Sequence, residues 1–419
     1  MDPYSSSPAV TIIGGGMVGT ACGLALQERG LSVTIIDAGS ERDKASFGNA
    51  GVISNGSIFP MASPGIWKQL LRYALNRDNG LRLRYGDLPF LAPWLLRFLA
   101  NANTQRRENA VEALVPLTAQ ALSYHQKWAQ RTNSEHLIRQ EGWLRLYRSA
   151  EGFASSAADR QLFERHGVKF EVLDTQTLHE LEPALQHPFH RALWLTETAT
   201  VATPGELLAA YQQLFQQQGG RWVSDHVQQL HIAEGHVQLY GKQQHYKSQT
   251  VVLAAGALST PLCQQLGYRI PMVAERGYHL SLPMPEDGPV LRRAVYDVAA
   301  GYVAAPMQDQ LRLLSGVELA HPQSRANPIQ LERLYPAARE ALGLAPTMDS
   351  SQLWSGNRPS TPDSLPVLGF APRHQQVLCA FGHGHIGFST GPITGELIAR
   401  LICREHLPVD IHPFRVDRF

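Results

Sequence analysis

Residues 9–37 read AVTIIGGGMVGTACGLALQERGLSVTIID, and this stretch decides the fold. Its first five residues are apolar and predict a buried strand, which a glycine triplet follows directly. Residues 17–29 have helical character, and Gly30 stands where a glycine commonly ends a helix. Residues 32–37 are rich in β-branched side chains and predict a second strand. This order forms a βαβ unit, which predicts a parallel sheet.

Three glycines in this stretch have the spacing G-x-G-x-x-G. Gly14 allows a tight turn, Gly16 lets a pyrophosphate approach the backbone, and Gly19 lets the helix pack closely on the strand. The N-terminus of the helix then offers N–H groups and a positive dipole end to phosphates. Asp37 lies 23 positions after Gly14, close to the spacing of about 20 for an acidic residue that binds ribose. The set predicts a dinucleotide site, with a glycine-rich turn in an unrelated α/β protein as the alternative.

Two later segments favour FAD over NAD as the dinucleotide. Residues 44–54 (KASFGNAGVIS) predict a polar, glycine-containing loop rather than a second unit of the same kind. Residues 251–256 (VVLAAG) end a strand in small residues, against which phosphates or a ribose can lie. A site assembled from distant parts of the chain suits the long, extended FAD, and NAD stays the alternative.

The bulk composition is that of a globular protein. The chain has 419 residues, of which 44% are hydrophobic and 17% charged, and this length suggests two domains. A formal net charge of +1 requires no nucleic acid or acidic polymer as a partner. The four cysteines form no CxxC pair, which argues against a zinc site or a disulfide framework and favours a reducing compartment.

No segment predicts a membrane span. Residues 1–8 are polar and lack the basic and apolar regions of a signal peptide. Residues 88–100 (LPFLAPWLLRFLA) are apolar but fall short of the roughly 20 residues that span a bilayer. We expect a core or domain-contact helix there, and an amphipathic helix at a membrane interface is the alternative. The expected location is the cytoplasm, with peripheral contact to the inner membrane as the alternative.

The rest of the chain alternates helical and extended patterns. Residues 42–65 predict a long loop, and residues 67–131 show helical periodicity. Alternating segments between 278 and 315 (YHLSL, YVAAP, LRLLS) predict a second, antiparallel sheet. Residues 359–369 predict a proline-punctuated loop.

A second group of residues that can carry chemistry lies near the C-terminus. Residues 382–387 (GHGHIG) allow close approach to the backbone, and the helix that follows can stabilise negative charge on a reduced flavin. Two histidines without a third ligand do not predict a metal site. Arg358 precedes Pro359, which favours an extended backbone, and its guanidinium suits a carboxylate. A surface arginine is the alternative that this loop alone favours.

Together these motifs resemble the FAD-dependent amino-acid oxidoreductases, most closely the bacterial D-amino-acid dehydrogenases, including the D-proline and D-hydroxyproline types. The first βαβ unit carries the resemblance together with SFGNAGVIS, ASPGIWKQLLRY, RGYHLSL, GNRPSTPDSLPVLG and FGHGHIGFSTGPITGELIA. It implies an α/β fold with a Rossmann-type FAD-binding domain and an α+β substrate domain with an antiparallel sheet. We expect discontinuous domains, with residues 1–85, 200–270 and 355–419 binding FAD and residues 86–199 and 271–354 binding substrate.

The resemblance also implies the site residues. Arg358 falls on the carboxylate-binding arginine, and Tyr278 and Tyr302 fall near the positions of substrate-contacting tyrosines. These three residues are the expected catalytic set. The residues expected to hold FAD are Gly14, Gly16, Met17, Val18, Gly19, Asp37, Ser46, Asn49, Ala50, Gly51, Val227, Ala255, Gly256, Gly384, His385, Ile386, Gly387 and Phe388.

The expected reaction is the oxidation of a D-amino acid. Arg358 holds the carboxylate while a hydride passes from Cα to flavin N5, giving an imino acid or a keto acid and ammonia. D-alanine-type relatives tend to have Thr-Leu-Gly-Trp where this chain has HIGF at residues 385–388, a variant that resembles sequences for hydroxyproline or proline-like D-amino acids. The resemblance implies a quinone or another carrier as electron acceptor. The alternatives are an oxygen-using oxidase of the glycine or sarcosine type and a non-catalytic flavin subunit of a dehydrogenase complex.

Overall fold

The computed structural model describes residues 9–40, 44–284 and 290–419. The polar residues 1–8 and the start of the predicted 42–65 loop lie outside these ranges. The strands are β1 Val10–Ile13, β2 Val33–Asp37, β3 Val52–Ile53, β4 Leu81–Leu83, β5 Ile138–Arg139, β6 Trp143–Tyr147, β7 Phe170–Leu173, β8 Arg191–Leu195, β9 Ala199–Val201, β10 Arg221–Ser224, β11 Val227–Ala233, β12 His236–Gly241, β13 His245–Ser248, β14 Thr250–Leu253, β15 Val273–Pro283, β16 Ala294–Asp297, β17 Tyr302–Pro306, β18 Gln310–Ala320, β19 Leu353–Ser360, β20 Val367–Ala371 and β21 His374–Phe381. The helices are α1 Met17–Gln27, α2 Ile66–Ala74, α3 Leu88–Asn101, α4 Thr104–Ala119, α5 Ala121–Arg131, α6 Ala150–Ser155, α7 Ala157–Arg165, α8 Thr175–Leu181, α9 Pro204–Gln217, α10 Ser259–Gln265, α11 Ile329–Leu342 and α12 Gly391–Cys403.

A six-stranded sheet contains the predicted βαβ unit. Its order is β10-β2-β1-β14-β21-β20, with every pair parallel except β20 and β21. Apolar residues of α1, α5, α9 and α12 form one core with this sheet, and residues of β11, β12 and α10 form a second. Gly30 adopts φ +74° just after α1, as its predicted place at the end of the helix requires.

A nine-stranded sheet forms the second layer, which confirms the mixed α/β fold class. Its order is β19-β15-β18-β17-β16-β6-β8-β7, and β4 also pairs with β18. The predicted antiparallel segments lie in β15, β17 and β18, which pair as neighbours. One face of this sheet packs against α11. The opposite face packs against Ala50 and Val52 of the predicted FAD loop and, further along, against α3.

Several predicted loops contain strands. The predicted loop at 359–369 begins inside β19 and ends inside β20, because Pro359 lies on an edge strand, where a missing N–H is tolerated. The helical region 67–131 is interrupted by β4, and the long loop 42–65 contains the short β3. Alternation is too short in β3 and β4 to be recognised in the sequence.

The sheets bear on the proposed domain boundaries at three places. β4 and most of β19 lie within segments assigned to FAD binding, yet both pair in the nine-stranded sheet. Helix α5 lies within a segment assigned to substrate binding, yet Ala121, Trp128 and Ala129 pack in the core of α1 and α12. The division into two discontinuous domains stays a proposal. In it, β4 and β19 now belong to the substrate-binding domain, and α5 belongs to the FAD-binding domain.

Candidate active site

The glycines of the first turn have two different reasons to be glycine. Gly14 has φ +108°, and a Cβ there would lie 2.5 Å from the Ala254 carbonyl oxygen. A Cβ on Gly19 would lie 1.9 Å from the Gly14 carbonyl oxygen. A Cβ on Gly16 would meet only the Ser46 hydroxyl, at 3.5 Å. The chain's own packing therefore requires Gly14 and Gly19, whereas Gly16 borders open space at the N-terminus of α1.

The N-terminus of α1 has hydrogen-bond donors to offer a ligand. The Met17 N–H donates to the Ser46 hydroxyl at 3.2 Å, and the Thr20 N–H makes the first bond to a carbonyl four residues earlier. Among the residues described, the N–H groups of Val18 and Gly19 donate to no acceptor. Free N–H groups at the positive end of a helix dipole are suited to bind a pyrophosphate.

Asp37 lies at the end of β2, where the ribose of a dinucleotide is expected. Its Oδ2 atom is 2.6 Å from Lys44 Nζ, and that ammonium lies 5.2 Å from the ring centroid of Trp222. The cation holds the carboxylate at the edge of the sheet. The sequence carries no spacing signal for this ion pair, because Lys44 lies in a loop.

The loop at residues 46–51 is tied to itself and to the nine-stranded sheet. The Asn49 side chain accepts the Gly51 N–H and donates to the Ser46 carbonyl, both at 2.5 Å. Arg312 donates to the Asn49 carbonyl at 2.6 Å, and His279 Nδ1 lies 2.9 Å from the Gly48 carbonyl. Burial and the nearby arginine lower the pKa of His279 to about 3, so it donates as a neutral imidazole.

The two sheet residues that hold this loop were missed as candidates. His279 lies within RGYHLSL, a motif quoted for its tyrosine, and Arg312 lies in a strand that resembles ordinary core. Burial lowers the pKa of Arg312 to about 10. Its charge is directed at backbone carbonyls of the loop.

Three further predicted cofactor residues lie at the same edge of the first sheet. Ala255 and Gly256 follow β14, and Gly256 has φ +56°. Val227 begins β11 and belongs to the same buried cluster as Ile13 and Ile36, the last apolar residues of β1 and β2. Ligands of α/β sheets bind at the carboxyl ends of the strands, and these residues lie there.

The two histidines of the GHGHIG segment face different surroundings. His383 is buried, and its Nε2 lies 3.0 Å from the hydroxyl of Thr394 in α12. His385 is solvent-accessible, yet enough protein surrounds it for burial to lower its pKa to about 4, with Arg358 and Arg145 contributing. We infer from these two properties that His385 borders an internal cavity. Gly384, just before His385, adopts φ +53°, and Gly387 lies two residues after His385. Both glycines are half-buried and have no side chain, so their backbone atoms can be approached from this cavity.

The side chains of Ile386 and Phe388 point away from the cavity. Ile386 packs with α4 and α12. Phe388 stacks on His125 of α5 at 5.4 Å, and its carbonyl lies 2.9 Å from His125 Nε2. Any contact of these two predicted residues with FAD must therefore use the backbone. Only His385 presents a side chain from residues 385–388.

Arg358 lies in β19 with its guanidinium over β15. A Cβ on Gly277 would come within 2.5 Å of Arg358 Nη2, so the glycine makes room for the guanidinium. Glu275 pairs with Arg358 in the strand register, and its buried carboxylate helps to keep the arginine charged against the effect of burial on its pKa. Among the described residues the guanidinium makes no hydrogen bond or ion pair, and its side chain is half-accessible. Its donors are therefore available to a ligand.

The structure contradicts the expected roles of Tyr278 and Tyr302. Residues alternate between the faces of a strand, and Glu275, Gly277 and His279 share the face of Arg358. Tyr278 lies on the opposite face, where its hydroxyl donates to Glu318 at 2.5 Å. Tyr302 lies in the same buried core against α11. Both tyrosines support the sheet from behind and have no access to the cavity.

Other residues of the cavity face were not predicted. Trp143 and Arg145 of β6 lie on this face, and Tyr296 of β16 pairs with Arg145 in the register. The rings of Trp143 and Tyr296 are 6.4 Å apart. Tyr296 therefore places a hydroxyl on the cavity face, whereas Tyr278 and Tyr302 lie on the opposite face. An alternating strand pattern does not show which face of the sheet a ligand covers. The sequence therefore could not indicate that Trp143, Arg145 and Tyr296 lie on the cavity face.

The sequence profile of the FAD dependent oxidoreductase family matches residues 9–401. The chain belongs to the FAD-dependent oxidoreductase family. It is 30% identical to a D-amino-acid oxidase of Bradyrhizobium diazoefficiens over 98% of both chains. It is 28% identical to a D-amino acid dehydrogenase of Vibrio cholerae over 96% of both. The crystal structure of glycine oxidase from Geobacillus kaustophilus superposes with a TM-score of 0.80 at 21% identity, covering 99% of this chain and 100% of that one.

As a member of the FAD-dependent oxidoreductases, the protein is an enzyme whose cofactor is FAD. The residues present fit that cofactor, because α1 offers unused N–H groups beside the open space at Gly16. The 382–388 segment offers accessible backbone and His385 at the other end. Among the parts of the chain that are described, no helix is long and apolar enough to cross a bilayer. The individual FAD contacts stay predictions.

Proposed function

We propose that this FAD-dependent oxidoreductase oxidises a D-amino acid, with Arg358 binding the α-carboxylate. The observation that carries the proposal is the partly buried guanidinium of Arg358, which lies over Gly277 and makes no hydrogen bond or ion pair with the described residues. Buried charges are normally paired, so an unpaired one indicates an anionic ligand. The names of the two sequence relatives, a D-amino-acid oxidase and a D-amino acid dehydrogenase, support this substrate class.

Arg358 positions the substrate for the chemical step. A bidentate contact to the carboxylate fixes the amino acid in one orientation, and the gain in rate is mostly positional. FAD, when bound, supplies the acceptor for the two electrons that leave the Cα–H bond. The amine must be neutral at that moment, because only a lone pair on nitrogen can stabilise the developing imine.

Among the described residues, the carboxylate next to Arg358 is not suited to serve as a base for the amine. Both oxygens of Glu275 are buried and unbonded, and burial raises the pKa of this carboxyl while Arg358 opposes the shift. Glu275 therefore acts on Arg358 and not on substrate. His385 is neutral at pH 7 and can accept a hydrogen bond from the amine. The product is an imino acid, which hydrolyses to a keto acid and ammonia or persists as a cyclic imine when the substrate is proline-like.

The finer proposal is a D-proline or hydroxy-D-proline substrate with a quinone or a similar carrier as electron acceptor. The HIGF sequence at residues 385–388 favours a proline-like substrate. Its only side chain beside the cavity is His385, so the proposal of a proline-like substrate depends on this residue. An oxygen-using oxidase is the competing function that one relative's name favours.

An exposed face of α2 supports peripheral contact with a membrane that holds such a carrier. Trp67, Leu70, Leu71 and Leu75 are exposed by 53%, 38%, 73% and 47%, at helical spacing. Lys68 and Arg72 lie on the same exposed helix, and an apolar face beside cations suits an anionic bilayer interface. The alternative weighed for residues 88–100 therefore moves to α2, because Leu91, Trp94 and Phe98 of α3 are buried.

The deciding experiment is anaerobic reduction of the purified holoenzyme by a panel of D- and L-amino acids, followed at about 450 nm, where oxidised flavin absorbs. We expect bleaching by D-amino acids, followed by reoxidation with a soluble quinone and without hydrogen peroxide. Bleaching only by L-amino acids or by none would overturn the substrate assignment, and rapid peroxide formation in air would favour the oxidase.

Arg358→Ala tests the carboxylate contact. We expect KM to rise about 100-fold or more with FAD retained, because truncating one partner of a buried charge pair costs about 2–5 kcal/mol. Arg358→Lys should recover part of the loss. Tyr278→Phe is the matched control on the other face of the sheet and should leave KM unchanged. An unchanged KM in Arg358→Ala, or a large rise in Tyr278→Phe, would contradict the assignment.

A further inference from the structure

Arg145 is a second cation on the cavity face of the nine-stranded sheet. Its guanidinium carbon lies 5.2 Å from the Phe163 ring centroid and 5.6 Å from those of Phe59 and Trp143. These rings lie beside the guanidinium itself. The charge is therefore held in place by aromatic contacts rather than by an ion pair.

The charge of Arg145 has no counter-ion among the described residues. Arg148, Arg276 and Arg293 of the same sheet region pair with buried carboxylates at 2.8, 3.3 and 2.9 Å. Arg145 makes no ion pair or hydrogen bond among the described residues, and its Nε is buried without an acceptor. Cation–π contacts compensate only part of the desolvation of such a charge. The remaining donors need an acceptor from outside the chain.

Tyr296 lies beside Arg145 with an unused hydroxyl. The two residues are register partners in β16 and β6, so their side chains leave the same face of the sheet. The Tyr296 hydroxyl makes no hydrogen bond with the described residues. Burial raises the pKa of this phenol, which therefore keeps its proton and can donate at neutral pH.

His385 connects this pair with the carboxylate site. The strand register places Arg358 and Arg145 on the same face of the nine-stranded sheet. Both charges also lower the pKa of the His385 imidazole. Arg358 faces it from β19, near one end of the sheet order, and Arg145 faces it from β6. The cavity thus has two cationic ends, and an amino acid with a single carboxylate satisfies only one.

We infer that Arg145 and Tyr296 bind an oxygen on the side chain of the substrate, so that the enzyme prefers D-amino acids with a distal hydroxyl or carboxylate. The inference rests on the proposed function, in which Arg358 takes the α-carboxylate. Arg145 has only hydrogen-bond donors, and the Tyr296 hydroxyl can donate beside it, so the group that satisfies both is an oxygen acceptor. A site built to hydrogen-bond an oxygen discriminates strongly against the analogue that lacks it.

The test compares matched substrates that differ only in the distal oxygen. D-Proline is paired with 4-hydroxy-D-proline for the hydroxyl, and D-norvaline with D-glutamate for the carboxylate. We expect wild-type kcat/KM for flavin reduction to be at least about 30-fold higher for one oxygen-bearing member, the size of effect seen when buried polar groups lose their partner. The pair that shows the preference identifies the group.

Two variants assign that preference to the residues. Arg145→Met keeps an unbranched side chain beside the aromatic rings, and we expect it to abolish the preference by lowering kcat/KM for the oxygen-bearing substrate to about that of the plain substrate. Arg145→Lys should restore part of the preference. Tyr296→Phe should weaken it, and Tyr302→Phe, a buried tyrosine of the opposite face, is the matched control that should leave it intact.

A binding measurement separates failure of the inference from failure of the proposed function. Glutarate and valerate are matched acids that are not oxidised, and their binding perturbs the flavin spectrum of the holoenzyme without turnover. We expect glutarate to bind more tightly in wild type and equally with valerate in Arg145→Met. If no amino acid bleaches the flavin, the proposed function fails. If D-amino acids do bleach it but wild type shows no preference for the oxygen, or Arg145→Met loses both members of a pair equally, the inference is wrong.

Discussion

At the residue scale, the same amino acid can be required for unrelated reasons within a few positions. Gly16 and Gly19 both belong to the dinucleotide fingerprint, yet only Gly19 touches the backbone of its own chain. The fingerprint predicts both residues and cannot separate them, because the separation depends on what lies within a few ångströms of each Cα.

Gly16→Ala and Gly19→Ala should therefore have different effects. We expect Gly16→Ala to leave the stability of the cofactor-free protein within about 1 kcal/mol of wild type, because its Cβ meets only the Ser46 hydroxyl at an ordinary contact distance. FAD affinity should fall at least about 10-fold, since the methyl group occupies the approach to the backbone. Gly19→Ala should destabilise the cofactor-free protein by more than about 2 kcal/mol through overpacking.

Chemical denaturation of the two apoproteins and FAD titration of each variant provide the measurement. The matched control is Gly86→Ala, where an added Cβ meets nothing within 4 Å. Equal destabilisation by both fingerprint variants would show that Gly16 is also held by packing.

The tyrosines show where residue-level prediction fails. Arg358 is predicted from a proline and a family pattern, and its role stays a proposal that the absence of a hydrogen-bond partner among the described residues supports. Tyr278 is only three residues from Glu275 and directly follows Gly277, but one step along a strand reverses the face. The sequence shows the alternation of β15 and not which side α11 covers.

At the scale of elements, α2 leaves large apolar side chains exposed to solvent. Ile66 is its one buried residue, whereas most helices of globular proteins bury a stripe of about 100°. The sequence predicts helical periodicity here and gives no indication that the apolar row remains uncovered.

Leu71→Gln combined with Leu75→Gln should abolish binding to anionic vesicles. Both leucines are exposed, so folding should be unaffected, and burial of each in a bilayer interface contributes up to about 1.5–3 kcal/mol. We expect wild type to float with vesicles that contain phosphatidylglycerol and to bind at least about 10-fold less to pure phosphatidylcholine. Val172→Gln changes an exposed apolar residue of β7 and should float as wild type does. Flotation that is absent in wild type, or unchanged in the double variant, would refute the contact.

At the scale of the whole molecule, buried neutral histidines tie stability to pH. His125, His279 and His383 are buried, and burial lowers their pKa values to about 4, 3 and 3 from an ordinary value near 6.5. The unfolded chain binds protons at these sites below pH 6.5 and the folded protein does not. Their contribution to stability is therefore complete above pH 6.5 and is lost as the pH falls towards 4.

We expect the free energy of unfolding to fall between pH 6.5 and 4.5, and His125→Gln to make that fall shallower by up to about 1.4 kcal/mol per pH unit, the effect of one proton. Glu182 and Glu275 oppose the trend, because burial raises the pKa of each carboxyl. Comparison of the variant with wild type cancels their effect. His136→Gln, at an exposed position, is the control. Parallel pH profiles of His125→Gln and wild type in urea denaturation would contradict the prediction.

The strands of the six-stranded sheet could be predicted from sequence more completely than those of the nine-stranded sheet, for a physical reason. The first sheet is parallel and its strands are continuous apolar runs that can be recognised locally. The nine-stranded sheet brings together strands as distant in sequence as β4 and β19, and its pairing depends on contacts that no local pattern encodes.

The two faces of the nine-stranded sheet can change independently over evolutionary time. One face is committed to α11 and carries the stability of that layer, while the other presents alternate residues to the cavity. If the proposed substrate contacts hold, substitutions at Arg145 and Tyr296 should alter substrate choice without disturbing the face that packs on α11. A combinatorial library limited to Trp143, Arg145 and Tyr296 would sample new specificities while the α11 face stays constant.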